Sequence, residues 1–438
     1  MTALTAGIII LLLVFLFLGM GIWVFVGLLL VSVTSQFFLS GFPLDKIGTI
    51  AARILLRSAN SWELSAIPMF IWMGDMIFRT DISQRLFNGL APIVNKIPGR
   101  LLHTNVIGCT LFAAVSGSST ATTITVGKIS LGELEARGYN RGISVGSLAG
   151  AGSLGLLIPP SIVMIVYGIL AEVSIIAIFA AGILPGLMIA GLYSTYIAVR
   201  ATMNPELTGV HDPDNPIPPV TWRCFVDLLP VFILIGIVLG AIYSGIATPS
   251  EAAAIGVVAT LIVTICIGQF SFRIAMDSLQ SAVRMSAMVV TLVLAAALLS
   301  TTMGYLQLPQ SVAGFIAGLE LSPYGLIVAL AAFYILLGMF LEGISITVMT
   351  LPITLPLIVQ AGFDPLWFGI FLILMVELAT ITPPVGFNLF VLQGLTNHSI
   401  GQVAKVSAPF FVLMCIGVVL LTAFPQIALW LPQHLSGR

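Results

Sequence analysis

No charged residue precedes Asp45, and the residues before it are apolar almost throughout. One membrane-spanning helix needs only about 20 residues. The run is therefore read as two helices, roughly 4–20 and 22–40, parted at Gly19-Met20-Gly21. Composition points the same way along the whole chain. Of 438 residues, 16 are Lys or Arg and 17 Asp or Glu, a charged share of 8%, where a soluble domain carries about 25%. With 59% hydrophobic residues and a mean hydropathy of +1.14, too few polar side chains exist to cover a water-facing surface. A net charge of −1 and the lack of a basic stripe exclude nucleic acid as a partner. The apolar runs are continuous rather than alternating, which excludes a β-barrel. The fold class is an all-α polytopic membrane protein. Met1–Thr5 holds no basic residue, so the start reads as the first span, not a cleaved leader. Cys109, Cys224, Cys266 and Cys415 lie scattered in apolar sequence and read as small packing residues.

Charge-free windows place further spans near 64–78, 175–199, 225–243, 251–268, 286–304 and 406–424. Four longer windows are interrupted. Residues 104–131 break at Ser116-Gly117-Ser118-Ser119, 142–170 at Pro159-Pro160, 325–360 at Glu342-Gly343 and 366–396 at Pro383-Pro384. Lys128 follows the Ser-rich break too closely for the chain to have crossed the bilayer. We therefore read 104–131 and 325–360 as re-entrant helical hairpins. With the N-terminus outside, 12 of the 16 basic residues then fall inside, as the positive-inside rule requires. Three of the others, Lys46, Arg53 and Arg57, share the stretch 43–60, read as an interfacial amphipathic helix.

The chain also repeats itself. Pro159-Pro160 and Pro383-Pro384, Pro185 and Pro409, and Ala136–Asn140 and Gln360–Asp364 all correspond at an offset of 224; Ser116-Gly117 pairs with Glu342-Gly343 at 226. Residues 1–200 form a first repeat, 201–224 a cytoplasmic linker, 225–424 a second repeat and 425–438 a tail. Each repeat makes five crossings, an odd number, so the second copy is inverted. Inverted repeats with discontinuous helices are the architecture of secondary transporters.

Proline deletes a backbone donor and blocks the helical turn before it. Paired prolines at matching depths in both halves therefore free carbonyl oxygens inside the membrane, and such oxygens coordinate cations. The tip Ser116–Ser119 adds uncharged hydroxyl oxygens, which hard cations accept. Thr122, Thr123 and Thr125 read instead as helix-packing hydroxyls. Glu342 and Glu377 are carboxylates deep in apolar sequence, candidates for function or for a protonated or paired structural role. Asn388 either faces a solute or ties the second broken helix to its hairpin. Asp75 and Arg79, four apart at a helix end, read as an interfacial pair. The four histidines lie near span ends, away from any proton relay. No HExxH, phosphate-binding GxxxxGK[ST] or strand-borne GxSxG occurs, so the chain reads as a non-enzyme.

The tip Ser116–Thr122, the stretch Gly152–Ser161 and the run Thr382–Val391 together resemble the large membrane subunit of tripartite ATP-independent periplasmic (TRAP) transporters, over essentially the whole chain. The resemblance implies a multi-pass protein of the bacterial inner membrane with the elevator architecture of the ion-transporter superfamily. It implies sodium-coupled import of a small carboxylate-bearing solute, such as a C4-dicarboxylate or sialic acid. Two partners are implied, a small four-span membrane subunit and a periplasmic substrate-binding protein. The motifs place Na+ on Ser116, Gly117, Ser118, Ser119, Gly152, Ser153 and Pro159 in the first half. In the second half they place it on Glu342, Gly343, Ser345, Thr380, Thr382, Pro383 and Gly386. Thr120, Ser161 and Asn388 are expected to meet the solute. A stand-alone sodium/dicarboxylate symporter of the same broad architecture is the alternative; a channel or an intramembrane enzyme is a different class with no motif behind it.

Overall fold

The computed structural model describes residues 3–209, 218–308, 311, 314, 322–383, 386–396 and 398–436. Nineteen α-helices lie among them. In the first half they are α1 (Ala3–Gly19), α2 (Val24–Phe38), α3 (Leu44–Ala59), α4 (Ala66–Phe78), α5 (Ile82–Val94), α6 (Leu102–Ser116), α7 (Ser119–Ala136), α8 (Arg141–Gly152), α9 (Ile162–Ala171) and α10 (Ile175–Met203). The second half holds α11 (Trp222–Tyr243), α12 (Pro249–Cys266), α13 (Phe272–Tyr305), α14 (Pro323–Gly338), α15 (Gly343–Gln360), α16 (Pro365–Thr380), α17 (Phe387–Leu395), α18 (Ile400–Ala423) and α19 (Gln426–Ser436). Six of them, α10, α11, α12, α13, α15 and α18, are by length and composition able to cross a membrane.

The repeat is visible in the helix boundaries themselves. α7 and α15 start and end 224 residues apart, α8 and α16 start 224 apart, and α9 and α17 end 224 apart. The same offset carries α3 and α4 onto the single 34-residue α13, so the second half fuses the surface helix and the following span into one rod. This register corrects the pairing of the tips. Glu342, the residue capping α15, corresponds to Ser118, the residue capping α7, and not to Ser116. The 226 offset followed the Gly after each residue, whereas the helix starts fix the correspondence at 224.

Both hairpins form, with arms α6–α7 and α14–α15, somewhat longer than the windows 104–131 and 325–360. Both broken helices form as well, α8–α9 and α16–α17, around the non-helical stretches 153–161 and 381–386, of which 384 and 385 lie outside the described residues. Apart from Glu377 and the terminal Thr380, α16 is apolar on every side, and Trp367 through Ala379 are all buried, the mark of a helix enclosed by protein. Its neighbour contacts include the Trp367 indole N–H, which donates to Leu421 O in α18 at 3.0 Å. By contrast α11 and α12 expose Phe232, Ile237, Val258 and Ile262 and present an apolar face suited to lipid.

The halves interlock. α12 packs on α4, α11 on α5, and α13 on α2 and α4, which makes one framework from both repeats. Hairpins and broken helices lie against it; Gly74 of α4, for example, approaches the Ser116 backbone so closely that a Cβ would sit 3.2 Å away. α3 exposes Lys46, Arg53 and Arg57 while burying Ile47, as an interfacial helix should. Two elements were not anticipated. α5 is an amphipathic helix where the charge pattern of the sequence gives only an inside loop. α19 gives the expected tail 425–438 a helix, packed on α10.

Ala136 and Gln360 end equivalent hairpin arms and are both exposed. Ala136→Cys and Gln360→Cys, each in a chain whose own cysteines are replaced, are expected to react with a membrane-impermeant maleimide from opposite sides of the membrane. Reaction from the same side would contradict the inverted repeat.

Candidate functional site

The first hairpin reverses at Gly117, whose φ of 61° and ψ of 19° lie in the left-handed region that glycine enters without a steric cost. Space demands glycine too, because a Cβ there would lie 2.8 Å from the Pro160 carbonyl oxygen. The tip therefore rests directly on the first break. Ser118 follows in extended conformation, and its hydroxyl accepts the Ala121 N–H at 3.4 Å to cap α7. The Ser116 and Thr122 hydroxyls lie 2.9 Å apart across the turn. Thr123 donates to Ser119 O at 2.8 Å, and Gly152 leaves room for it: a Cβ at 152 would lie 2.0 Å from the Thr123 hydroxyl.

One group joins this tip to the break and to the other half of the protein. The Ser119 hydroxyl donates to Glu377 Oε1, and the Leu156 N–H donates to the same oxygen at 2.7 Å. Glu377 comes from α16, is fully buried, and its Oε2 has no hydrogen-bond partner. Among the described residues the ion pairs are Asp75–Arg79, Arg85–Asp227, Glu133–Arg137 and Glu135–Arg141; none involves Glu377.

At the second tip, Glu342 caps α15 by accepting the Ile344 N–H and the Ser345 hydroxyl, both at 3.4 Å. Gly343 fits between the halves, since a Cβ there would lie 2.6 Å from Val376 and 3.4 Å from Leu156. In the second break Thr380 and Thr382 donate back to Glu377 O at 2.7 Å and Leu378 O at 2.8 Å. Asn388 Nδ2 donates to Thr380 Oγ1 at 3.2 Å. Gly386 closes the loop: its N–H donates to Thr382 O at 3.1 Å, and a Cβ would lie 2.6 Å from Thr380 O.

The expected residues thus divide. Gly117, Ser119 and Gly152 meet at the first tip and break, with Ser161 beneath Gly117. Ser116 and Ser118 are engaged within the hairpin, and Ser153 bonds to its own helix at Gly150 O, 2.7 Å. Pro160, not Pro159, offers its carbonyl to the tip. Thr380, Thr382, Gly386 and Asn388 form a second cluster at Pro383, and Glu342 and Ser345 a third. Among the described residues no hydrogen bond joins the third to the second. Pro384 lies outside the described residues. Thr120, half-buried, starts α7 beside Ser119.

The chemistry on offer is oxygen chemistry. Ser161 Oγ, Asn388 Oδ1 and Glu377 Oε2 are buried acceptors without partners, and the Pro159 and Pro160 carbonyls receive no donor among the described residues. Buried polar atoms normally find a partner. Oxygens of this kind could hold an alkali cation, which takes several oxygen ligands and needs no Cys or His. Clusters of three or more His, Cys, Asp or Glu are absent among the described residues. In the sequence Glu377 is a candidate, but nothing local places it at the tip. Its correspondence with Ser153 was the signal available; Leu156, Gly155 and Gly74 carried none, since they act through backbone or through lack of a side chain.

Residues 9–427 match the family described as DctM: Tripartite ATP-independent periplasmic transporter, DctM component. A C4-dicarboxylate TRAP transporter large permease protein of Rhodobacter capsulatus is 32% identical over 428 residues, 94% of this chain and 95% of the relative. An ectoine/5-hydroxyectoine TRAP transporter large permease protein of Ruegeria pomeroyi is 32% identical, covering 86% of this chain and 87% of the relative. In fold, the chain resembles the crystal structure of the Alcanivorax borkumensis YdaH transporter, with a TM-score of 0.65 at 15% identity over 89% of this chain and 90% of that one. The chain belongs to the DctM family and is the large, multi-pass permease component of a TRAP transporter.

Proposed function

We propose that this permease imports a small carboxylate-bearing solute, of the C4-dicarboxylate or sialic acid kind, across the bacterial inner membrane, driven by sodium ions. A tripartite transporter has two further components; the reading assigns them as a small four-span membrane subunit and a periplasmic binding protein that delivers the solute. One observation carries the sodium reading: Ser161 Oγ, Glu377 Oε2 and Asn388 Oδ1, buried oxygens of the two broken helices, have no hydrogen-bond partner, and among the described residues no basic group pairs with Glu377. Cations satisfy both the oxygens and the charge. The division of the fold supports a reading of how translocation occurs. Hairpins and broken helices carry the site and move as a body against the framework of α1–α5 and α11–α13, an elevator.

The test uses the complete three-component transporter in proteoliposomes. Uptake of the solute recovered from its binding protein is expected with external sodium and to vanish when choline replaces it. Equal uptake in choline overturns sodium coupling, and uptake without the binding protein overturns the tripartite delivery.

A further inference from the structure

We infer that Glu377, contributed by the second repeat, is the anionic ligand of the sodium ion held at the tip of the first hairpin. The inference rests on the sodium-coupled reading and deepens it. The first-half residues expected to hold sodium are all neutral, and Glu377 lies outside that set. Its position is nonetheless central. Oε1 takes two donors, Ser119 Oγ from the tip and Leu156 N–H from the break. Oε2 takes none although the residue is fully buried. A buried carboxylate costs several kcal/mol unless a counter-charge attends it, and among the described residues no Lys, Arg or His pairs with it. Further oxygens lie against Gly117, two residues before Ser119 in the same tip. Ser161 Oγ lacks a partner, Ser161 Cα lies 3.5 Å from where a Gly117 Cβ would be, and Pro160 O lies nearer still. The inverted repeat supplies a control within the molecule. The residue equivalent to Glu377 is Ser153, which spends its hydroxyl on Gly150 O of its own helix. Only one of the two halves therefore lends a charge to the other.

This arrangement makes the first site dependent on both repeats at once. Ion binding draws Ser119, Leu156 and α16 together, so occupancy of the first site fixes the hairpin tip against the opposite half before the carrier moves.

The test measures ion binding directly, with no need for the solute. Radioactive sodium bound at saturation by the purified permease in complex with its small subunit is expected to be two ions per chain in the native protein and one in Glu377→Gln. The gain in melting temperature on exchanging choline for sodium is expected to shrink by about half in the same variant. Glu377→Asp keeps the carboxylate one methylene shorter; it should keep two ions, with the half-saturating sodium concentration raised at least threefold. Two ions bound at unchanged affinity by Glu377→Gln overturns the inference while leaving sodium coupling intact, and so does Glu377→Asp with native affinity if the Gln variant fails to fold. No sodium bound by the native protein overturns the functional reading on which it rests.

Discussion

Gly155→Ala is expected to raise the half-saturating sodium concentration for uptake by about tenfold to a hundredfold while leaving the protein folded and in the membrane. A Cβ at 155 would lie 2.3 Å from Ser119 Cα and 2.5 Å from Ser119 N. Those are backbone atoms, so no rotamer change relieves the clash; the tip of the first hairpin must recoil. Overpacking of this kind costs about 1–3 kcal/mol, and each 1.4 kcal/mol is a factor of about ten. The loss falls on the ion site because Gly155 precedes Leu156, whose N–H holds Glu377. Wedging the tip away separates Ser119 from that carboxylate. Gly132→Ala is the control: it lies in α7, and nothing stands within 4 Å of its Cβ position. There the exchange gains roughly 0.5–1 kcal/mol of helix stability and sodium dependence stays native. Uptake by Gly155→Ala with native sodium dependence would show that tip and break do not share an ion.

Much of this site was readable before any fold was known, because its parts announce themselves locally. Prolines in apolar sequence mark breaks, Ser and Gly in a charge-free window mark a reversal, and Lys128 limits how far the hairpin can travel. The remainder acts across distance. Ser119 and Glu377 are 258 positions apart, and nothing near either residue names the other. Their pairing follows only when two inverted copies are placed face to face. The register of the tips was misjudged for a related reason. A Gly that follows a polar residue is a common pattern, whereas the start of a helix is a property of the folded backbone, and the helix starts decide between 224 and 226. α5 escaped notice because Arg85 and its polar neighbours gave it no charge-free window, although its buried face packs on α11. α13 looked shorter than it is because Arg273, Asp277 and Arg284 end the apolar window but not the helix.

Abolishing the membrane potential at a constant sodium gradient is expected to lower solute accumulation by a factor that reports the charge of the solute. If each hairpin site carries one sodium ion, two charges enter per cycle. Moving one charge through 100 mV is worth about 2.3 kcal/mol, and a tenfold sodium gradient adds about 1.4 kcal/mol per ion. For a solute of no net charge the two ions supply roughly 7 kcal/mol, an accumulation limit near 10⁵-fold. Removing 100 mV takes away about 4.6 kcal/mol of it, roughly a 2,000-fold fall. A monoanion cancels one charge, and the fall is about 40-fold; a dianion cancels both, and accumulation is indifferent to potential while still requiring sodium. On the proposed elevator Glu377 does not enter this sum, since its side chain would travel inward with the loaded carrier and outward with the empty one. In proteoliposomes, valinomycin with equal potassium on both sides removes the potential without touching the sodium gradient. A fall in accumulation larger than about 2,000-fold per 100 mV would require more than two ions per cycle and exceed what one site per hairpin can hold.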